Sequence, residues 1–227
     1  GRSILADDMG LGKTVQGIGL AELLQQQAGI SKVLVISPAS LKQQWALEIE
    51  RFSTKSAQIV SGTAEERSEL YGSAFFTLCN YEQVLRDFPF LERSRWDLII
   101  LDEGQRIKNF ESKTSKVIKS LSSDYALVLS GSPLENRLED LFSVVNFVDN
   151  RVLGPAFQFF QEYQQTDAKG RLQAYKNLDK LRAKLKPILL RRTRQQVLPQ
   201  LPPLTQETRL VPPSDEQQTM DVANRRI

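Results

Sequence analysis

The chain of 227 residues has no histidine and a single cysteine, Cys79. The first absence excludes every mechanism that needs an imidazole base, any Ser-His-Asp or Cys-His nucleophile, and any histidine-ligated zinc. The second excludes a disulfide framework, an iron–sulfur cluster and a cysteine-rich zinc site. Carboxylates, lysine, arginine, serine, threonine and a bound metal are left to carry any chemistry. No apolar run approaches the roughly 18 residues that a membrane-spanning helix needs. The opening Gly1-Arg2-Ser3-Ile4-Leu5-Ala6 lacks the long apolar stretch and small-residue cleavage site of a signal peptide. The expectation is an intracellular protein with no membrane partner.

What is present is ordinary for a globular chain, with 41% hydrophobic and 25% charged residues. The length suggests one large domain, or one domain and a piece of another. The net charge of +3 hides an asymmetry. Residues 1–150 carry 16 basic and 20 acidic side chains, and residues 151–227 carry 14 and 7. Between Lys169 and Arg194 there are ten basic residues against one acidic, Asp179. Such an imbalance points to a polyanionic partner.

Ile4-Leu5-Ala6 reads as a short strand, and Val15, Ile18, Leu20, Leu23 and Leu24 recur at helical spacing up to a stop at Gly29. Val33–Ile36, Ala74–Cys79, Trp96–Leu101 and Tyr125–Leu129 are apolar runs of the buried parallel-strand kind. A helix pattern through Leu41, Trp45, Ile49 and Phe52 follows the first of them, and both tryptophans, Trp45 and Trp96, read as core. Strands alternating with helices predict a doubly wound parallel sheet. After Phe147 the pattern turns helical, and Leu172, Tyr175, Leu178, Leu181 and Leu185 predict an amphipathic helix over 171–186. Residues 200–213, with four prolines, read as a linker, and Ser214 as the cap of a further helix.

Gly10-Leu11-Gly12-Lys13-Thr14 lies between a strand and a helix. Glycines there let backbone N–H groups close around phosphate oxygens at a helix N-terminus, where the macrodipole favours anions. Lys13 can reach the β- and γ-phosphates, and the Thr14 hydroxyl can ligate Mg²⁺. The strict P-loop pattern asks for glycine at position 7, where this chain has Asp7. A second signal, Asp102-Glu103, ends an apolar strand. Ligands of open α/β sheets sit outside the carboxyl ends of the strands, so this pair shares an edge with the loop. Asp102 can hold Mg²⁺, and Glu103 can orient and deprotonate a water, which suits a chain without histidine. Ser130-Gly131-Ser132-Pro133 ends the next strand on the same edge; alone it is a common turn.

These residues resemble a family. Leu5-Ala6-Asp7-Asp8-Met9-Gly10-Leu11-Gly12-Lys13-Thr14-Val15-Gln16 is similar to motif I of the Swi/Snf-type helicase-like ATPases of helicase superfamily two, in which an acidic residue takes the place of the first glycine. Ile36-Ser37-Pro38-Ala39-Ser40-Leu41, with Trp45 and Glu48, resembles motif Ia. Cys79-Asn80-Tyr81-Glu82 resembles motif Ib, and Asp102-Glu103-Gly104-Gln105-Arg106-Ile107-Lys108-Asn109 the DEAH-type motif II. Leu129–Asn136 resembles motif III. Leu189-Leu190-Arg191-Arg192-Thr193, then Leu201-Pro202-Pro203, resembles the exit from the first motor lobe. Two positions depart from the pattern. Gln105 stands where many relatives have histidine, and it can exchange hydrogen bonds but does not titrate. Ser132 replaces the commoner threonine. Gln105 and the compact spacers point to a bacterial source.

The resemblance implies a RecA-like P-loop NTPase lobe: α/β, a mostly parallel sheet with helices on both faces, and an α-helical protrusion. It implies a first RecA-like lobe over 1–150, a helical protrusion over 151–199 that returns to it, and over 200–227 a linker and the start of a second RecA-like lobe that is otherwise absent. It implies ATP and Mg²⁺ as cofactors, with Asp7, Asp8, Met9, Gly10, Leu11, Gly12, Lys13 and Thr14 binding nucleotide. Thr14 and Asp102 would hold the metal; Glu103, Lys13 and Gln105 would be catalytic; Ser130 and Ser132 would couple nucleotide state to DNA. Ser40, Lys42 and Tyr81 match positions that follow a DNA backbone in relatives, although Lys42 also fits a solvated helix lysine. Arg191 and Arg192 fit either DNA contact or a pin between protrusion and lobe. The implied activity is ATP-driven translocation on double-stranded DNA, acting on DNA-bound protein complexes. The location would be cytoplasmic and nucleoid-associated in a bacterium, nuclear in a eukaryote. No motif VI, and so no arginine finger worth roughly 10³–10⁵ in rate, is found in the chain, and adenine contacts upstream of residue 1 are not included. The chain alone is therefore expected to be nearly inactive. An RNA helicase lobe of the same superfamily and a non-catalytic module of the same fold remain alternatives, and a metabolic P-loop kinase a more distant one.

Overall fold

Val33–Ser37 is buried along its whole length, as a central strand covered on both faces must be. The computed structural model describes residues 1–110, 112–131, 137–167, 171–197, 214 and 217. Its elements begin with β1 (Arg2–Leu5), α1 (Lys13–Ala28), β2 (Val33–Ser37), α2 (Lys42–Phe52), β3 (Ala57–Ile59), α3 (Ala64–Leu70), β4 (Phe76–Asn80), α4 (Tyr81–Arg86) and α5 (Phe88–Arg93). They continue with β5 (Trp96–Asp102), α6 (Lys113–Ser120), β6 (Ser123–Leu129), α7 (Leu138–Val148), α8 (Asn150–Leu153) and α9 (Ala156–Tyr163). The last are β7 (Gln164–Thr166), β8 (Leu172–Tyr175), α10 (Leu178–Leu185), β9 (Leu189–Leu190) and α11 (Arg194–Val197). Seven strands form one sheet in the order β3-β4-β2-β5-β6-β1-β9, and each pairing in it is parallel.

The side-chain alternation of the strands sorts the core into two layers. Val33, Val35, Leu98, Ile100, Leu127 and Leu129 face one side, with Ile18 and Ala21 of α1 and Trp45 and Ile49 of α2. Leu34, Ile36, Ile99, Leu101, Ala126 and Val128 face the other, with Val84, Ile118 and the α7 residues Leu141, Phe142 and Val145. Helices thus cover both faces, as expected for the doubly wound arrangement. Trp45 and Trp96 are both buried, as their sequence patterns predicted. Arg2 ties the sheet to α7: its guanidinium donates to the carbonyls of Val148, Phe147 and Ser123 at 2.6, 2.9 and 2.7 Å.

Residues Gly1–Arg194 form one compact unit, and Gln195–Ile227 a second. In the second, Ser214 and Gln217 exchange the reciprocal hydrogen bonds of a helix-capping box; the rest of the expected linker lies outside the described residues. The amphipathic helix expected over 171–186 is not formed. Leu172–Tyr175 is instead a strand, antiparallel to Gln164–Thr166, and only residues 178–185 are helical. The helix starts late because Asn177 takes a left-handed conformation at φ 54° and is tied to the end of α9 through Glu162 O. Leu181 and Leu185 face the core, whereas Leu172, Tyr175 and Leu178 are exposed. The region after Phe147 is therefore mixed rather than all helical. Among the described residues no helix is long and apolar enough to cross a membrane.

Candidate active site

The loops after β1, β2, β4, β5 and β6 all leave the carboxyl edge of the sheet, and they carry the residues singled out in the sequence. Gly10 and Gly12 adopt φ of 83° and 73°, a left-handed region open to glycine at no steric cost. That conformation turns the loop directly into α1. Gly12 is the helix N-cap and offers no side chain, and no acidic residue lies in the first turn. The first N–H groups of α1 are thus free of side-chain caps and carry the positive end of the helix dipole. Lys13 folds across the loop, its Nζ donating to Asp7 O at 2.7 Å and Asp8 O at 3.1 Å. Gln16 Nε2 donates to Leu11 O at 3.0 Å.

Beside this loop lies a cavity of about 380 Å³, lined among others by Gly12, Lys13, Thr14, Trp45, Asp102 and Glu103. Met9, 64% exposed, stands at its rim. The structure therefore brings Thr14 and Asp102 to one cavity. Asp102 ends β5 and is held from both sides: Oδ2 accepts from Trp45 Nε1 at 2.7 Å and Oδ1 from the Glu103 N–H at 2.9 Å. Burial pushes its carboxyl above the usual range, with the Trp45 hydrogen bond opposing and the neighbouring Glu103 adding to the rise. Trp45, read from the sequence as core alone, is thus also a hydrogen-bond donor to the candidate metal residue. The signal for this, a tryptophan N–H on the helix after β2, becomes visible only once β2 and β5 are known to be neighbours.

Glu103 sits at φ 53°, a strained position for a residue with a side chain and one that clusters at functional sites. Its carboxylate accepts from Gln105 Nε2, and Gln105 Oε1 in turn accepts from Ser130 Oγ at 2.8 Å. Glu103, Gln105 and Ser130 therefore form one hydrogen-bonded line from β5 to the end of β6. A Cβ on Gly104 would meet Val128 Cγ1 at 2.2 Å, so the turn between Glu103 and Gln105 has room for glycine only. Ser132 lies outside the described residues. A Cβ on Gly131 would lie 3.0 Å from Met9 Cγ and 3.9 Å from Lys13 Nζ, which sets the start of that segment against the β1 loop.

Asp7 and Asp8 do not turn their carboxylates to the cavity. Asp7 is fully buried and pairs with Arg192, 185 residues away, through backbone N–H, Nε and Nη2. Burial opposes its ionisation, yet the hydrogen bonds and charge of Arg192 hold its carboxyl below the usual carboxylate range. Asp8 Oδ2 accepts from the Arg194 N–H at 3.0 Å. Neither Asp7 nor Asp8 lines the cavity. Arg192 thus acts as a pin between the returning chain and the lobe, the second of the two roles open to it from the sequence.

Of the three residues matched to a DNA backbone, Ser40 alone is exposed. Tyr81 is 3% exposed and its hydroxyl donates to Asp102 O at 2.7 Å. Lys42 Nζ turns inward to Val60 O and Gln83 Oε1 at 3.0 and 3.2 Å, and burial lowers its pKa. These two side chains are committed inside the lobe because α2 and α4 pack them against β4 and β5. In this structure Lys42 is half-buried and Tyr81 buried, and both polar groups are bonded within the lobe.

The parallel sheet, the glycine loop at a bare helix start and the carboxylate pair on the same edge define an α/β lobe of the P-loop, RecA-like kind. The chain belongs to the SNF2-related family, whose SNF2-related domain matches residues 2–220. It is 36% identical over 208 residues to the ISWI chromatin-remodeling complex ATPase CHR17 of Arabidopsis thaliana, an alignment covering 88% of this chain and 19% of the relative. To the chromatin structure-remodeling complex subunit snf21 of Schizosaccharomyces pombe it is 33% identical over 216 residues, covering 88% and 18%. To the uncharacterized ATP-dependent helicase MG018 of Mycoplasma genitalium it is 34% identical over 203 residues, covering 88% and 19%. The Sulfolobus solfataricus SWI2/SNF2 ATPase core in complex with double-stranded DNA is similar with a TM-score of 0.74 and 33% identity, over 85% of this chain and 40% of that one. The chain spans about a fifth of the length of the curated relatives it matches.

Proposed function

We propose that this chain is the ATP-binding lobe of a DNA-dependent ATPase that translocates on double-stranded DNA and remodels or displaces DNA-bound protein complexes. The observation that carries the reading is the meeting of Lys13, Thr14, Asp102 and Glu103 around one cavity at the carboxyl edge of the sheet. The residues fit ATP and Mg²⁺: uncapped N–H groups and Lys13 suit phosphates, and Thr14 and Asp102 are hard oxygen ligands of the kind that hold Mg²⁺ beside phosphates. The metal would neutralise charge on the phosphates. Lys13 leaves the Asp7 and Asp8 carbonyls to meet the phosphate oxygens. Glu103 orients the attacking water and takes its proton. The Gln105 amide fixes the Glu103 carboxylate and passes its position to Ser130, with Ser132 as a second hydroxyl of that relay.

Ser40 keeps the role of a backbone contact to DNA, a kind of contact that gives affinity without base readout and weakens with salt. The exposed lysines and arginines of α10 are further candidates for phosphate contact. Residues 200–227 would lead to a second RecA-like lobe of the same polypeptide, and the chain alone would bind ATP but hydrolyse it slowly. Work on DNA places the protein in the nucleus of a eukaryote or on the nucleoid of a bacterium.

The test is ATP hydrolysis by the protein that carries this lobe, measured without nucleic acid, with duplex DNA and with RNA. Duplex DNA is expected to raise the rate, and Lys13→Ala and Glu103→Gln to lower it by about 10²-fold or more. Stimulation by RNA alone would identify an RNA helicase lobe instead. Full remodelling activity in both variants would make the lobe a non-catalytic module.

A further inference from the structure

The segment 188–194 runs beside β1 and then beside the glycine loop, although it does not line the cavity. The β1 N–H of Ile4 donates to Ile188 O, and Ala6 N–H to Leu190 O, both at 2.7 Å. The contact continues past the strand, where strands of a sheet normally part. Asp8 N–H donates to Arg192 O at 3.1 Å, and Arg194 gives its own N–H to Asp8 Oδ2 and its Nε to Met9 O at 2.8 Å. A Cβ on Gly10 would come within 3.0 Å of Arg194 Nη2. The anion-facing loop is therefore backed along its length by a segment some 185 residues away.

Arg192 is the centre of this backing. Its guanidinium pairs with the buried Asp7 carboxylate, and its Nη2 also donates to Gln16 Oε1 at 2.6 Å. Each partner then holds the loop. Asp7 presents its carbonyl to Lys13 Nζ, and Gln16 holds the carbonyl of Leu11. An unpaired carboxylate at position 7 would also repel an anion in the loop. A buried charge without its partner is costly and disturbs its surroundings, so the loop needs Arg192 for both shape and charge.

We propose that Arg192 is a positioning residue for the nucleotide loop: through Asp7 at its start and Gln16, which holds the Leu11 carbonyl, it fixes the loop backbone ahead of Lys13, and so sets nucleotide affinity from outside the cavity. The proposal rests on the reading of residues 7–14 as a nucleotide site. Arg191, its exposed neighbour, touches neither the loop nor the cavity and serves as the control.

The test is titration of the chain with mant-ADP and Mg²⁺, read by fluorescence, with the unfolding midpoint of each variant measured without nucleotide. Arg192→Ala is expected to weaken binding by about tenfold to a hundredfold, the equivalent of a lost charged hydrogen bond. Arg192→Lys keeps the charge but cannot bridge Asp7 and Gln16 together, and is expected to fall between the two. Arg191→Ala is expected to bind as the wild type does. If Arg192→Ala fails to fold, Gln16→Ala removes one of the two routes and is expected to weaken binding about threefold or more. Wild-type affinity in a folded Arg192→Ala or Gln16→Ala variant overturns the proposal, as does an equal loss in Arg191→Ala. Lys13→Ala separates the two readings: if the wild type binds and Lys13→Ala does not, the site stands whatever Arg192 does, and if the wild type fails to bind, both fall.

Discussion

Lys119 shows how a single side chain reports on the packing behind the site. Its Nζ lies 4.1 Å from the centroid of the Phe110 ring and donates to Ser143 Oγ at 2.8 Å; Ser143 in turn bonds the Ile107 carbonyl, in the turn that follows Glu103. Burial pushes the Lys119 amine down to about 8 from an ordinary 10.5. Between these values the unfolded chain holds the proton and the folded chain releases it, so stability rises with pH across that window and the gain is absent below it. The expected gain is on the order of 1 kcal/mol once solvent screening is allowed for. Unfolding free energies from pH 7.5 to 10.5 check this: Lys119→Met should flatten the rise, and an unchanged slope would contradict it. At this scale the sequence is legible where chemistry is local. Gly10 to Thr14 lie together in the chain and could be read as a unit. The partners of Asp102 and Asp7 could not, since Trp45 and Arg192 stand 57 and 185 residues away, and neither distance leaves a trace in spacing.

Among the elements, β2, β5 and β6 were legible because strands covered on both faces must be continuous apolar runs. The three-residue edge strand β3 and the two-residue β9 are too short to show a pattern. The hairpin β7–β8 was misread because Leu172 and Tyr175 stand three apart, which also fits a helix face, and the choice was made by Asn177 and by pairing with residues 164–166 rather than by periodicity. The contact between α2 and β5 gives the prediction proper to this scale. Trp45→Phe keeps the apolar volume that α2 buries but takes the donor from Asp102 Oδ2. Leaving a buried acceptor unpaired costs about 1–3 kcal/mol, so the urea midpoint should fall while the helical content of the native state is kept. A midpoint equal to the wild type would show that the hydrogen bond contributes nothing to holding α2 on the sheet.

For the whole molecule, the opening absence of histidine acquires a structural meaning. At Gln105, a position often filled by histidine in the family that the sequence resembles, the amide bonds to the Glu103 carboxylate and Ser130 on its two sides, a link that does not titrate. The Gly1–Arg194 unit is closed by its own far end, since residues 188–194 complete the sheet beside β1 and back the loop that β1 leads into. If this loop and the Asp102–Glu103 edge form one site for ATP and Mg²⁺, as proposed, the two ligands bind together and Lys13 contributes to their joint binding. Calorimetric titration of the chain with ATP, with and without Mg²⁺, tests it most directly. The expected result is binding strengthened by Mg²⁺ and weakened about tenfold or more in Lys13→Ala, which loses the ammonium that lies across the loop and lines the cavity. Equal affinity for ATP in the wild type and Lys13→Ala, with or without Mg²⁺, would contradict it.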